Sequence, residues 1–534
     1  MKSDFAEFDL KSQNGLEGDI TPPGEWVLAN LGIDLAAPEF RELPPCKRAQ
    51  YRAVKNWLTK YKPKPEASNL EKVKGYLETF HHLCEVEDWE RAREILFIRL
   101  NTPTKDELHN QLDIWGYYRE MLELYNKLLG KLSYRMNATC LNGMGNTYLA
   151  MDKYAQAIEY QQQHLAIERS LDNLRGECQA FNNLGNAYNS LGNYEKAIDC
   201  YWQSLTIALK ITNREGEQSA LNNLGISYCN LGNYDKALDY HQRSLTIARE
   251  LQNHQEQGTV LSSFGKIYRA FGDYNKAIEY DRQSLAIARQ IQDRQGEAYA
   301  LVNLGIDFFE LGDYCEAIKY QHKALVIARD IGSRYAESNA LCNLGNAYNL
   351  LAKNFKAIEY YEQALKIMQE IENCAGEYMT LNNIGNAYAL LSDYRKAMDY
   401  YYQSWMVAHE TRHRKAEGMS LANIGITLLK IEQYSEALKY LHLALENFIQ
   451  FQESRGQELV LVKIGKAYCA LGEYSQALAY NRQHLAMVQA NQQLVISQEV
   501  ITQCDRALSI STELGIPLAK ECQELKEQLL SEQT

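Results

Sequence analysis

A glycine recurs every 40 residues through most of this chain, with no insertion or deletion: Gly145, Gly185, Gly225, Gly265, Gly305, Gly345, Gly385, Gly425 and Gly465. Twelve residues after each stands an alanine, from Ala157 to Ala477. A strict period of this length means stacked supersecondary units, each burying its apolar face against its neighbours. Such an array grows by adding units, so the 534 residues need not be divided among several globular cores. It also presents one long surface, which makes binding the leading expectation and chemistry the runner-up.

Each unit reads as a helical hairpin. Around Ala180, the residues Phe181, Leu184, Tyr188 and Leu191 recur at three- and four-residue steps, and Ala197, Ile198, Tyr201, Leu205 and Ala208 repeat that spacing. Between the stripes lies Gly192-Asn193-Tyr194, where glycine permits a left-handed residue and Asn193 can cap the next helix. Asn233, Asp273, Asp313 and Asp393 stand at the same cap position. Between units, Asn213 or Asp293 can cap, and Glu217, Glu297, Glu337 and Glu377 fall at the positive end of the following helix. Gly185 and Ala197 are small where two helices must pass closely, and Tyr188 can wedge against the next unit.

Gly185, Tyr188, Ala197, Tyr201 and Ser204 have the small–aromatic–small spacing of the tetratricopeptide repeat, and the chain resembles that family over about 131–490. The usual repeat has 34 residues and often a proline after its second helix. Here the unit is six residues longer and lacks that proline, so longer helices are expected. The 40-residue form looks like the repeats of Pins-type adaptors, kinesin light chains and cyanobacterial relatives. The resemblance implies an all-α, right-handed superhelical solenoid of antiparallel helix pairs.

Four segments are expected. Residues 1–68 differ from the repeats: a flexible start to about 23, a short helix from Gly24 to Leu35, and a helix from Pro44-Pro45 to about Tyr61. That helix carries Lys47, Arg48, Arg52, Lys55 and Lys60 with no acid among them, which reads as a solvated face on a packed cap or as a docking patch. Residues 69–130 hold two worn hairpins, marked by Trp89 and Ala92 and by Gly116, Tyr118 and Met121. Nine 40-residue units fill 131–490, and 491–534 supply capping helices at 493–511 and 518–531 around a break at Gly515-Ile516-Pro517.

The resemblance implies that the first helices line a concave groove. With the motif glycine as position eight, the family's contact positions are two, five, six and nine. Asparagine fills many of them: Asn142, Asn182, Asn222 and Asn382 at five; Asn183, Asn223, Asn303, Asn343, Asn383 and Asn423 at six; Asn146, Asn186, Asn346 and Asn386 at nine. An asparagine both donates and accepts, so a row of them can pair with the backbone of an extended peptide. The competing reading is that they satisfy neighbouring helices or water. Lys266 and Arg269 stand mid-array, and Lys430, Lys463 and Lys466 near its end, where cations would favour an acidic peptide. Tyr299, Val302, Ile306 and Phe309 make the central units less polar, offering an apolar anchor or a contact with the array's own next turn.

Composition excludes several classes. A net charge of −12 disfavours a general nucleic-acid binder. Twelve cysteines occur singly, without a CxxC pair, as suits a reducing compartment. The acidic start lacks the pattern of a signal peptide, and no apolar run approaches the roughly 18 residues of a spanning helix. The expectation is therefore cytoplasmic, with no cofactor. His409-Glu410-Thr411-Arg412-His413 fits HExxH, but His413 aligns with the inter-unit turn positions Asn213 and Asp293, so its imidazole would not share a helical face with His409. No phosphate loop, nucleophile elbow or Cys/His box is present.

The function expected is a non-enzymatic scaffold or adaptor that captures an extended segment of a protein partner. Two alternatives stand beside it. One is a ligand-switched regulator whose N-terminal helices dock an effector, a layout that resembles Rap-type quorum-sensing regulators; the other is a self-assembling structural protein.

Overall fold

The structure, a computed structural model, describes residues 20–64, 66–411, 413–451, 453–490, 498–513 and 518–531. Among them it is all helical, apart from one isolated bridge between Arg99 and Glu107. The flexible start falls mostly on residues 1–19, and the break at Gly515-Ile516-Pro517 also lies outside the described residues.

Seven helices precede the repeats: α1 (Gly24–Asn30), α2 (Pro38–Arg41), α3 (Pro45–Thr59), α4 (Asn69–Glu85), α5 (Trp89–Leu96), α6 (Leu108–Trp115) and α7 (Tyr118–Leu128). Five hairpins follow. They are α8 (Tyr134–Ala150) with α9 (Tyr154–Ser170), α10 (Leu174–Ser190) with α11 (Tyr194–Lys210), and α12 (Arg214–Asn230) with α13 (Tyr234–Glu250). Then come α14 (His254–Ala270) with α15 (Tyr274–Gln290), and α16 (Arg294–Glu310) with α17 (Tyr314–Ile331). The sixth pair is α18 (Arg334–Leu350) and α19 (Asn354–Glu370). Three more hairpins are α20 (Cys374–Leu390) with α21 (Tyr394–Glu410), α22 (Arg414–Lys430) with α23 (Tyr434–Gln450), and α24 (Ser454–Leu471) with α25 (Tyr474–Ala490). Helices α26 (Gln498–Glu513) and α27 (Leu518–Ser531) end the chain.

The period resolves into two 17-residue helices and two three-residue turns, as in α10, Leu191–Asn193, α11 and Ile211–Asn213. At about 1.5 Å per residue each helix is about 25 Å long. The caps are where the sequence places them: Asn193, Asn233, Asp273, Asp313 and Asp393 each accept from the backbone N–H three residues on. Asn213 and Asp293 do the same between units. Glu217, Glu297 and Glu337 sit in first turns and pair with Arg214, Arg294 and Arg334.

The motif glycines make room for one particular side chain. A Cβ on Gly185 would enter the ring of Tyr201, and one on Gly225 would lie 2.7 Å from the His241 ring. The same clash links Gly145 to Gln161, Gly265 to Asp281, Gly305 to Gln321, Gly385 to Tyr401 and Gly465 to Asn481. Aromatic rings close the hairpins at the next level. Tyr228 stacks on Tyr240 at 5.4 Å, Tyr268 on Tyr280 at 5.3 Å and Phe308 on Tyr320 at 5.2 Å. A lysine lies over each of the tyrosines Tyr188, Tyr228 and Tyr268. Tyr188 also packs against clusters of its own unit and the next, as expected of a wedge.

The chain falls into two compact units. Unit 1 runs to Ala347 and includes Glu370–Asn373; unit 2 comprises Tyr348–Gln369 and the residues from Cys374 onward. In unit 1 the basic helix α3 packs on the α4–α5 hairpin through Tyr51, whose hydroxyl donates to Asp88 at 2.6 Å while Arg91 holds the same carboxylate at 2.7 Å. Lys47 donates to the Val86 carbonyl at 3.2 Å, and Arg52, Lys55 and Lys60 remain exposed.

Candidate functional site: the first-helix face

The asparagine row is largely a fastening between helices. Asn142 Oδ1 accepts from Asn183 of the next unit at 2.7 Å and from Gln161. Asn382 Oδ1 likewise accepts from Asn423 at 3.1 Å, while its amide donates to Ser404 and Ser420. At position nine, Asn186 and Asn386 each accept from the tyrosine opposite the motif glycine, Tyr201 and Tyr401, at 2.7 Å. Asn146 accepts from Gln161, and Asn222 faces the Nδ1 of His241 at 3.0 Å. Asn182, Asn222 and Asn382 are buried; Asn183, Asn223, Asn303, Asn343, Asn346, Asn383 and Asn423 are half-buried; only Asn146 and Asn386 are exposed. Sequence spacing sees which face of a helix a residue takes, but not the polar neighbour that the next unit brings to it.

Arg269 is also engaged within the fold. Its Nε donates to Asp307 at 2.6 Å and its Nη2 to Asp281 at 3.3 Å, and its side chain is mostly buried. Both carboxyls are fully buried, and Asn303 donates to Asp281 as well. Burial, with the neighbouring carboxyl added, holds Asp281 well above the usual carboxylate range, and burial raises Asp307 too. One guanidinium therefore serves two buried acids, and one Asp307 oxygen has no hydrogen-bond partner among the described residues. Lys266, one turn earlier, is exposed, as are Lys430 and Lys466, while Lys463 is half-buried.

Of the central apolar residues, Val302 is buried, and Phe309 packs edge-on against Tyr314 at 5.5 Å. Tyr299 lies in electrostatic reach of Tyr118, Asp113 and Tyr335 within unit 1. Trp115 of the N-terminal hairpin lies against Gly332 at the end of repeat five, while Tyr299 itself is 38% exposed. A row of exposed apolar residues on first helices lies elsewhere, distinct from the exposed turn residues Leu191, Leu231, Phe271 and Leu311. In unit 2, Met379, Met419 and Leu459 occupy position two of three successive units and are 59%, 49% and 45% exposed. Their 40-residue register is legible in the sequence, but their exposure depends on how successive units pack.

The zinc-motif histidines are separated as the repeat register requires. Helix α21 ends at Glu410, His413 stands at the N-cap of α22, and His409 Nδ1 faces Glu417 at 3.1 Å. Among the described residues no group of three or more His, Cys, Asp or Glu is placed to hold a metal, and no helix is long and apolar enough to cross a membrane.

Sequence models of the tetratricopeptide repeat match residues 136–210, 216–290, 296–370 and 337–404, and a further one matches 460–494. The chain belongs to the tetratricopeptide repeat family. No curated protein matches it. Similar solved structures include a Rap protein complexed with competence and sporulation factor, at 15% identity over 66% of this chain and 98% of that one, with a TM-score of 0.45. Aspartyl phosphate phosphatase F from Bacillus subtilis is 14% identical over 66% of this chain and 94% of its own, with a TM-score of 0.44. A putative kinesin light chain from Podosopora anserina with nearly identical TPR-like repeats is 15% identical over 37% of this chain and 98% of its own, with a TM-score of 0.33. These likenesses concern the fold. Tetratricopeptide repeats supply a scaffold for protein interaction.

Proposed function

We propose that this tetratricopeptide repeat protein is a non-enzymatic scaffold that holds an extended peptide segment of a protein partner on its first-helix face. The observation that carries this reading is the in-register row Met379, Met419 and Leu459, exposed on α20, α22 and α24 of unit 2. Exposed side chains of this size at one position of three consecutive units form a stripe rather than scattered surface residues. Methionine adapts its shape to differing apolar partners. Asn386, Lys430 and Lys466 are exposed on the same three helices, so the partner that fits is apolar and acidic together.

Spacing narrows the ligand further. The alternate helices α20 and α22, and α22 and α24, touch one another, which sets them about 10 Å apart. A polyproline II chain repeats its face every third residue, after about 9 Å. The peptide expected has an apolar side chain at about every third position with acidic residues between. Its amides and carbonyls would use the hydrogen-bonding capacity that the asparagines retain after fastening the units.

Peptides selected by the whole chain from a displayed random dodecapeptide library test this directly. They should show that spacing, and Met419→Glu should weaken their binding about tenfold, as about 1.4 kcal/mol of lost contact would do. Selected peptides without the pattern, bound equally by the variant, would sink the proposal.

A further inference from the structure

Repeats four and five meet at a charged cluster made by Arg269 of α14, Asp281 of α15 and Asp307 of α16. In the adjoining units their register positions hold Cys229 and Phe309, His241 and Gln321, and Ile267 and Ala347. No other unit carries an acid or an arginine at any of these positions. Both aspartates are 0% exposed, and their carboxyl groups lie within hydrogen-bonding reach of each other. Arg269 Nε donates to Asp307 at 2.6 Å and its Nη2 to Asp281 at 3.3 Å. Asp281 also accepts from Asn303, whereas the second Asp307 oxygen has no donor among the described residues. With both acids ionised, the cluster would bury two negative charges against one positive. Two carboxylates in contact would also offer each other lone pairs and no proton.

We propose that Asp281 and Asp307 form a proton-binding site built into the junction of repeats four and five, holding one proton between them at neutral pH and releasing it as the pH rises. The proton turns one carboxyl into a donor to the other and leaves the cluster neutral beside Arg269. Burial and the neighbouring carboxyl both push Asp281 above the usual carboxylate range, as this geometry requires. The charged groups in reach of the pair, among the described residues, are Arg269 from α14 and Glu310 from α16; Ser262 of α14 lies in hydrogen-bonding reach. Arg269 opposes protonation but neutralises a single acid, and Glu310, exposed at the end of α16, weakly favours it. Loss of the proton leaves an uncompensated charge between α14 and α16, which touch, and so weakens their junction. An unfolded aspartate is ionised above about pH 4, whereas the folded pair keeps its proton. The junction is therefore most stable at low pH and loses stability as the pH rises, until the folded pair also lets its proton go.

Asp307→Asn tests this, because it keeps an oxygen for Arg269 and puts a permanent N–H in place of the proton. Hydrogen exchange of the whole chain gives the protection of α14 and α16 in the wild type relative to the variant. That ratio should fall at least tenfold between pH 5 and pH 7, since one extra bound proton is worth up to a factor of ten per pH unit. Intrinsic exchange rates and groups common to both chains, His241 included, cancel in it. Infrared spectra read the proton without opening the fold. At pH 7 the wild type should show the carbonyl band of a protonated carboxyl that Asp307→Asn lacks; Asp113, which burial raises to about 6, is mostly ionised there and is common to both. Asp281→Gln, patterned on Gln321 in the same slot over Gly305, should lack the band too, and it serves if Asp307→Asn does not fold. A ratio that stays level from pH 5 to pH 7, or a wild-type spectrum with no band that either variant removes, would overturn the proposal.

Discussion

The side chain opposite each motif glycine is the repeat's main variable inside a fixed frame. Glycine at that point opens a slot, filled by Gln161, Tyr201, His241, Asp281, Gln321, Tyr401, Leu441 or Asn481. The choice sets local chemistry: Tyr201 reaches Asn186, while Asp281 needs Arg269. His241 is 1% exposed, and burial, helped by Lys266, brings its pKa down from 6.5 to about 4. Between those values an unfolded chain takes up a proton that the folded one refuses. Stability is therefore full above pH 6.5 and falls as the pH drops toward 4, by up to about 3 kcal/mol. Gln321 fills the same slot over Gly305, so His241→Gln should fit and remove this slope. Urea midpoints at pH 7 and pH 5 would check it: the wild type should lose stability between them by more than the variant does.

At the element scale every described turn between repeat helices needs a left-handed residue, and only some turns show it by a glycine. Within hairpins the left-handed residue is glycine at Gly192, Gly232, Gly272, Gly312 and Gly472, but Asp152, Ala352, Ser392 and Glu432 take the same place in other units. Between hairpins the same geometry is imposed on Thr212, Gln252, Gln292 and Glu372, with φ of 52–58°. A left-handed conformation costs an ordinary residue about 1 kcal/mol or more, and a β-branched one suffers most. Neighbouring units hold these turns in place, so no turn residue announces them. Thr212 is exposed, and Thr212→Asn should raise thermal stability by about 1 kcal/mol in a melting experiment, with no change in peptide binding. Helix number, length, caps and stacking were legible because each follows from spacing along one element. Asn142 shows where that legibility ends: its face was evident, but its bond to Asn183, 41 residues away, depends on how two units meet.

For the whole molecule, the period told of a long continuous surface, whereas the structure gives parts of that surface different conditions. In unit 1, the hairpin that carries Trp115 and Tyr118 returns to repeat five, a contact spanning more than 200 residues of sequence that no local pattern encodes. In unit 2, Met379, Met419 and Leu459 stand open to solvent on first helices, two of which also carry the exposed Lys430 and Lys466. The account predicts that a partner's extended segment lies along those three side chains. A library-selected peptide carrying a photoreactive residue at an apolar position, cross-linked to the whole chain and mapped by mass spectrometry, measures this most directly. Cross-links at residues 379, 419 and 459, shifting by one unit as the label moves three residues along the peptide, are the predicted result. Cross-links confined to second helices or to the exposed basic side of α3 would contradict it.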